Sequence, residues 1–390
     1  MSITAYTFNT VGRIVSGPGA ALELAVLCGP LGIRRPLLVT DPGLVSIGLV
    51  QPVQRALEAA GLEVVLYDQI SEDPPEAVVE AAAALARAHD VDGVIGLGGG
   101  SSMDVAKVVA ALLDGPQALC DMYGLDQIRG GRLPLLLVPT TAGTGSEVTP
   151  VAVLTTGATT KAGVSSPVLL PDVAVLDPEL TLGLPPAITA MTGVDAMVHA
   201  IEAYTSRHRK NPISDNLARS ALSLISRSIR RAVEQGGDLE ARSAMLLGAM
   251  QAGQAFANAP VAAVHALAYP LGGHYHIPHG LSNSLVLPSV LEFNAPVASH
   301  LYAELAEIVV GRPLQGSDEA LTRALIDALR QLIEDVALPA TLSAAGVRRE
   351  HIDRLAEDAM LQQRLLVNNP REVTLDDARG IYLAAYGTAA

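Results

Sequence analysis

The sequence predicts an α/β nucleotide-binding domain, built as a parallel sheet with flanking helices, followed by an all-α domain. Three observations predict this. Through the first half, short apolar β-rich runs alternate with Ala-rich helical stretches, the rhythm of a parallel sheet covered on both faces. After LDPELTLGLPP (176–186) the alternation stops. From Ala187 onward helical periods follow one another with few β-branched runs. The boundary is therefore expected near Pro186, giving domains of 1–186 and 187–390.

Taken in order, the expected strands are PLLVTD (36–41), LEVVLYD (62–68), VDGVIGLGG (91–99), LPLLLVPTT (133–141) and VAVLD (173–177). Each is a short run of Val, Leu and Ile that ends in Asp, Gly or Thr. In the second half, ISDNLARSALSLISRSIRRAVEQ and SDEALTRALIDALRQLIEDV place apolar residues three and four apart, as a helix with one buried face requires. No repeat or low-complexity linker separates the halves, so the two domains are expected to pack directly and leave a cleft.

Composition narrows the function. The chain has 390 residues, 49% of them apolar, which suffices for two cored domains. Lys and Arg total 26 against 40 Asp and Glu, a formal charge of −14, so a nucleic acid would be repelled. No apolar run approaches the roughly 18 residues needed to span a bilayer, and MSITAYTFNTVGR lacks a charged leader before an apolar block. Two cysteines, Cys28 and Cys120, cannot build a disulfide framework and read as buried apolar filler in a reducing cytoplasm.

In TGVDAMVHAIEAY, Asp195 and His199 stand four residues apart and share one face of a helix, with Cβ atoms roughly 5–6 Å apart. Such a pair also occurs on solvated helix faces. A second cluster, VHALAYPLGGHYHIPHG, supplies His265 and His279 to complete a metal shell. One carboxylate with three imidazoles suits iron(II) or zinc better than calcium or magnesium. An octahedral ion on four protein ligands keeps two positions for substrate, whereas a closed tetrahedral ion is structural.

GLGGGSSMD (96–104) follows a strand and opens an Ala-rich helix, so its glycines bring backbone N–H groups toward a pyrophosphate. It only approximates the dinucleotide fingerprint, and Ser101 with Asp104 equally forms a capping box. VPTTAGTGSE (138–147) brings a second polar loop to the same sheet edge. Asp41 either meets an adenosine ribose, favouring NAD over NADP, or belongs to an Asp-Pro-Gly turn.

These segments, with VTDPGL, LPDVAVLDPELTLGLPP, IPHGLSN and NNPREVTLDDARGIY, resemble the iron-containing (group III) alcohol dehydrogenase family almost end to end. The resemblance implies a dehydroquinate synthase-like architecture and a metal-dependent, NAD(H)-linked alcohol dehydrogenase or aldehyde reductase. It implies Asp195, His199, His265 and His279 as metal ligands. Gly98, Gly99, Gly100 and Ser101 would lie on the pyrophosphate, Thr140, Thr141 and Thr144 near the phosphates and nicotinamide, Lys161 by the nicotinamide ribose, and Phe256 by the substrate.

One position departs from the family. Tyr269 replaces a histidine that often follows the third ligand by four residues and helps pass a proton, and a phenol of ordinary pKa near 10 is a poor neutral-pH base. A water chain or the pair His274 and His276 can serve instead, although histidines beside a Gly-Gly turn are commonly just solvated. Val151 stands where a lactaldehyde reductase has an amide, and with Val153, Phe256 and Tyr269 it points to apolar or aromatic substrates. The rival readings are a zinc polyol dehydrogenase, a dehydroquinate synthase-type lyase, disfavoured by the low basic content, and a silent metal-stabilised scaffold. A homodimer or larger homo-oligomer is expected, with Tyr6 to Val15 offering a strand edge.

Overall fold

The computed structural model describes residues 5–157 and 160–387. Its contacts separate Asn9–Leu182 from a second unit that begins at Gly183 and includes residues 5–8. In the first unit the order is β1 (Arg13–Ser16), α1 (Leu24–Cys28), β2 (Pro36–Val39), α2 (Pro42–Ser46), α3 (Val50–Ala59), β3 (Val65–Tyr67), α4 (Glu76–Ala88), β4 (Gly93–Gly98), α5 (Gly100–Asp114), β5 (Gly124–Leu125), β6 (Leu135–Pro139), β7 (Val151–Thr156), β8 (Thr160–Ser165) and β9 (Val173–Leu176).

Six strands pair in the order β1-β9-β6-β4-β2-β3, all parallel. Side chains alternate across this sheet. Leu37, Val39, Leu135 and Leu137 face one apolar cluster with α4 and α5, while Leu38, Ile95, Leu136 and Val138 face another with α1 and α3. Burial on both faces is what the near-continuous Val and Leu runs require. Each fully buried Leu or Val contributes roughly 1.5–3 kcal/mol.

The five strands expected from sequence correspond to β2, β3, β4, β6 and β9. Beyond them, β1 forms one edge of the sheet, and β5, β8 and β7 make a small mixed sheet whose β7–β8 pair is antiparallel. The chain runs from β2 outward to β3 and then returns to β4 on the other side of β2. That reversal opens a crevice at the carboxyl ends of β2 and β4, where sheets of this kind take ligands.

The second unit is helical: α6 (Pro186–Thr205), α7 (Pro212–Glu234), α8 (Leu239–Asn258), α9 (Ala263–Tyr275), α10 (His279–Val310), α11 (Asp318–Asp335), α12 (Ile352–Ala359), α13 (Gln363–Leu366) and α14 (Leu375–Tyr386). Their starts are written in the sequence. Asn211, Asp238 and Ser317 cap α7, α8 and α11 through their side chains, and Thr374 with Asp377 forms a capping box on α14. Helix α6 is buried over most of its length and packs against α7, α8 and α10, which places Asp195 and His199 deep within the unit.

Candidate metal and nucleotide sites

Asp195 and His199 lie one turn apart on α6, His265 near the start of α9, and His279 as the first residue of α10. The last two elements are brought in closely: a Cβ on Gly280 would stand 2.3 Å from the Met191 carbonyl oxygen, so only glycine lets α10 begin against α6. The Asp195 Oδ1 atom is 3.9 Å from His199 Nε2, 3.9 Å from His265 Nε2 and 3.7 Å from His279 Nε2. All four donor atoms fall within 4.8 Å of one another. Asp195, His199 and His265 are buried, whereas the His279 side chain is 37% exposed.

Two donors bound at about 2.0–2.2 Å to one ion stand at most roughly 4.4 Å apart, so the carboxylate separations fit a common cation and the widest pair needs only slight closure. The donor chemistry fits as well, since iron(II) and zinc both accept imidazole and carboxylate. Burial would raise the Asp195 carboxyl, but His199, His279, His265 and the Asn283 amide together overcome it and hold the group below the usual range. Ring contacts fix the imidazole planes. Phe256 stacks on His199 with centroids 4.3 Å apart, His199 stacks on His265 at 4.8 Å, and Tyr269 is tilted against His279 at 5.9 Å.

Two residues that sequence reasoning missed complete the arrangement. Glu202 is buried one turn beyond His199. It accepts hydrogen bonds from His265 Nδ1 at 2.7 Å, from the Ala262 amide at 3.0 Å and from the Val264 amide at 2.7 Å. Holding Nδ1 as a donor leaves Nε2 as the lone-pair nitrogen that faces the other ligands. Asn283, one turn after His279, donates from Nδ2 to Asp195 Oδ1 at 2.6 Å. Both lie on ligand-bearing helix faces, at i+3 from His199 and i+4 from His279, and extending each face by one turn would have found them.

At the nucleotide edge, Gly98 ends β4 with φ +154°, and a Cβ there would meet Ser102 Oγ at 2.6 Å. The Thr140 amide donates to the Gly98 carbonyl at 3.0 Å, and Thr144 stands against Gly100, so the two polar loops expected to share an edge do so. Helix α5 begins at Gly100 with no side-chain cap. The capping-box reading of Ser101 and Asp104 is corrected here. Asp104 accepts from Ser146 Oγ at 2.6 Å and from the Val153 amide at 2.9 Å, because the buried Lys107 ammonium draws its carboxylate away from the helix start.

Asp41 ends the loop after β2 and caps α2, its Oδ1 accepting from the Leu44 amide at 2.9 Å. The Lys161 ammonium, on β8, is paired with Asp73 at 2.6 Å. Val151 and Val153 share the half-buried face of β7, opposite the core-facing Ala152 and Leu154. His274 is not among the four clustered donors: its Nε2 is hydrogen-bonded to Asp358, beside a small cavity lined by Tyr275, His351, Arg354 and Leu355. His276 closes α9 in the left-handed conformation. Cys28 is buried as expected, but Cys120 is exposed, because it follows α5 in a surface turn rather than in the core.

A family model described as iron-containing alcohol dehydrogenase matches residues 12–178, and one for the C-terminal part of the same family matches residues 189–386. The chain belongs to the iron-containing alcohol dehydrogenase family. This dehydrogenase is 41% identical over 389 residues to long-chain-alcohol dehydrogenase 1 of Geobacillus thermodenitrificans, covering 99% of this chain and 98% of that one. Its fold is similar to a crystal structure of a 1,3-propanediol oxidoreductase (TM-score 0.95, 34% identity, 98% and 100% coverage). It is also similar to sulfoacetaldehyde reductase from Bifidobacterium kashiwanohense in complex with NAD+ (TM-score 0.89, 31% identity, 99% and 100% coverage). Family membership sets aside the lyase and scaffold readings, and no helix among the described residues is long and apolar enough to cross a membrane.

Proposed function

We propose that this dehydrogenase interconverts apolar or aromatic aldehydes and their alcohols with NAD(H), on a metal ion held by Asp195, His199, His265 and His279. The convergence of those four donors carries the reading. When bound, the ion acts as a Lewis acid on the substrate oxygen while hydride passes to or from the nicotinamide. Asp195 brings one negative charge and the imidazoles none, so a divalent ion keeps a net positive pull. Gly98 and Gly99 lead from β4 into α5, and with Gly100 and Ser101 in its first turn they line the place where the pyrophosphate would sit. Thr140, Thr141 and Thr144 add hydroxyls along the neighbouring loop. The charge of Asp41 beside the β2–β4 crevice repels a 2′-phosphate, which makes NAD the nucleotide, as in the Bifidobacterium relative's complex. Lys161 serves the nicotinamide ribose while sharing its charge with Asp73.

Val151, Val153 and Phe256 are assigned to the substrate. None is charged, so a sulfonated aldehyde would find no cationic partner among them, and an apolar one loses little on desolvation. Purified protein loaded with iron(II) or zinc should deplete NADH with hexanal or benzaldehyde well before sulfoacetaldehyde or a small polyol aldehyde. No NADH consumption with any apolar aldehyde would sink the assignment.

For the proton we assign Tyr269 beside His279, its phenol, protonated at neutral pH, acting as the donor in aldehyde reduction rather than as a base. Tyr269→Phe is expected to lower kcat about a hundredfold, the lower end of general acid–base effects, with metal content unchanged. His274→Ala, which removes only the partner of Asp358, should leave the pH–rate profile where it is. A shifted profile would return His274 to the relay.

Edge strand β1 exposes Arg13, Ile14 and Ser16, and we assign it to pairing between copies in a homo-oligomer. Light scattering on the purified chain checks this, and a monomer at all concentrations would refute it. A cytoplasmic setting agrees with its two free cysteines.

A further inference from the structure

Asn283 is fully buried on α10. Its Nδ2 lies 2.6 Å from Asp195 Oδ1 and 3.3 Å from the Nε2 atoms of both His265 and His279. One side chain thus touches three of the four proposed ligand atoms. An amide nitrogen has two hydrogens to give, and three acceptors compete for them. At the other end of the same amide, Oδ1 is buried with no hydrogen-bond partner. Buried carbonyl oxygens are nearly always satisfied, and those that are not call for an explanation.

The two ends of an asparagine amide have almost the same shape, so a half-turn about the Cβ–Cγ bond exchanges them without disturbing the packing. With Nδ2 inward, the N–H dipoles suit a cluster of lone pairs. With Oδ1 inward, an oxygen would face a carboxylate oxygen and two imidazole lone pairs, which is repulsive unless a cation lies among them. A cation reverses the preference, because it repels the N–H dipoles and attracts the carbonyl oxygen.

Resting on the ligand assignment above, we infer that Asn283 belongs to the metal centre as a neutral amide with two working orientations. It shares its two N–H donors among Asp195, His265 and His279 when they face one another alone, and it turns Oδ1 toward a bound cation. An amide suits this place because it supports the ion without adding charge. A second carboxylate there would neutralise a divalent ion together with Asp195 and weaken its pull on substrate oxygen.

The test uses the whole protein, stripped by a chelator and titrated with cobalt(II), whose visible absorption reports the ligand field. Wild type should take up one equivalent. Asn283→Ala should bind cobalt(II) about 10- to 100-fold more weakly, the usual cost of removing a supporting partner of a metal site, and with a changed spectrum. Asn283→Asp keeps the shape and should do the opposite for affinity, binding more tightly while kcat falls. In the stripped protein Asn283→Asp should also unfold at a lower temperature than wild type, since it sets two carboxyl groups side by side. A residue that merely fills space would not move affinity in opposite directions in the two variants. Matching affinities and spectra in all three proteins would overturn the inference alone. Failure of wild type to bind would instead overturn the ligand assignment itself.

Discussion

Changing His265 to alanine is expected to abolish turnover and strip the metal centre while leaving NADH binding nearly intact. In the proposed shell His265 is one of three imidazoles beside a single carboxylate, and no other histidine among the described residues joins that cluster. Losing the ion removes a Lewis acid worth several kcal/mol in the transition state, so kcat should fall by roughly a thousandfold or more. The substitution has a second effect. Glu202 is buried and spends its carboxylate on His265 Nδ1 and two backbone amides, so removing the imidazole leaves a buried charge with one partner fewer. The helical unit should therefore also lose stability.

These effects separate cleanly in measurement. Elemental analysis reads the metal, fluorescence titration reads NADH, and thermal unfolding reads the fold. Glu202→Gln sharpens the comparison, because it keeps the imidazole and removes the charge behind it. Its Oε1 can still accept from Nδ1, but its amide nitrogen would face the Val264 N–H. Metal affinity about 10- to 100-fold weaker, with the ligand set complete, is the expected result. Full activity and metal content in His265→Ala would refute the ligand assignment.

How much of this was legible in the sequence depended on the range of the determining contacts. The four interior strands showed because burial on both faces forces runs rich in Leu, Val and Ile, as in Leu135–Pro139. Strands β7 and β8 did not show. Their stretch carries Thr155, Thr156, Thr160 and Lys161, which read as a polar loop, and their pairing is decided by each other. Strand β1 escaped as a defined strand since RIVS is short and mostly exposed.

At the site, Asp195, His199, His265 and His279 were visible because helix periodicity and a cluster of histidines among glycines and prolines are local signals. Glu202 and Asn283 share those faces, yet their roles rest on partners 63 and 88 residues away in sequence. Asp104 was misread for the same reason. Three residues after Ser101 it looks like a cap, whereas the groups that hold it lie 42 and 49 residues further on.

The largest loss of stability in the α/β unit is expected from Lys107→Met. The Lys107 side chain has no exposure, and its ammonium lies 2.7 Å from Ser146 Oγ, 2.8 Å from the Val151 carbonyl, 3.2 Å from Thr149 Oγ1 and 3.6 Å from Asp104 Oδ1. It thereby ties α5, which opens at the glycine loop, to the Ser146–Thr149 turn and to β7. Methionine fills a similar volume but offers no charge and no donor. Removing one partner of a buried ion pair costs about 3–5 kcal/mol, mostly because the other charge stays behind.

The residual carboxyls make the loss depend on pH. Burial raises Asp104 above the usual carboxylate range and lifts Glu147 to about 7, in each case against the opposing pull of Lys107. An acid with its folded pKa above its unfolded one is least costly when protonated, and its stability declines as pH rises from the unfolded toward the folded pKa. Without Lys107 both groups should climb further, so the deficit of Lys107→Met should be smaller near pH 5 than near pH 8. Pairing it with Asp104→Asn removes the stranded charge and should recover much of the loss. Thermal unfolding of the single and double variants across that range decides it: a pH-independent deficit, or no recovery in the double variant, would mean that the buried charge is not what Lys107 supports.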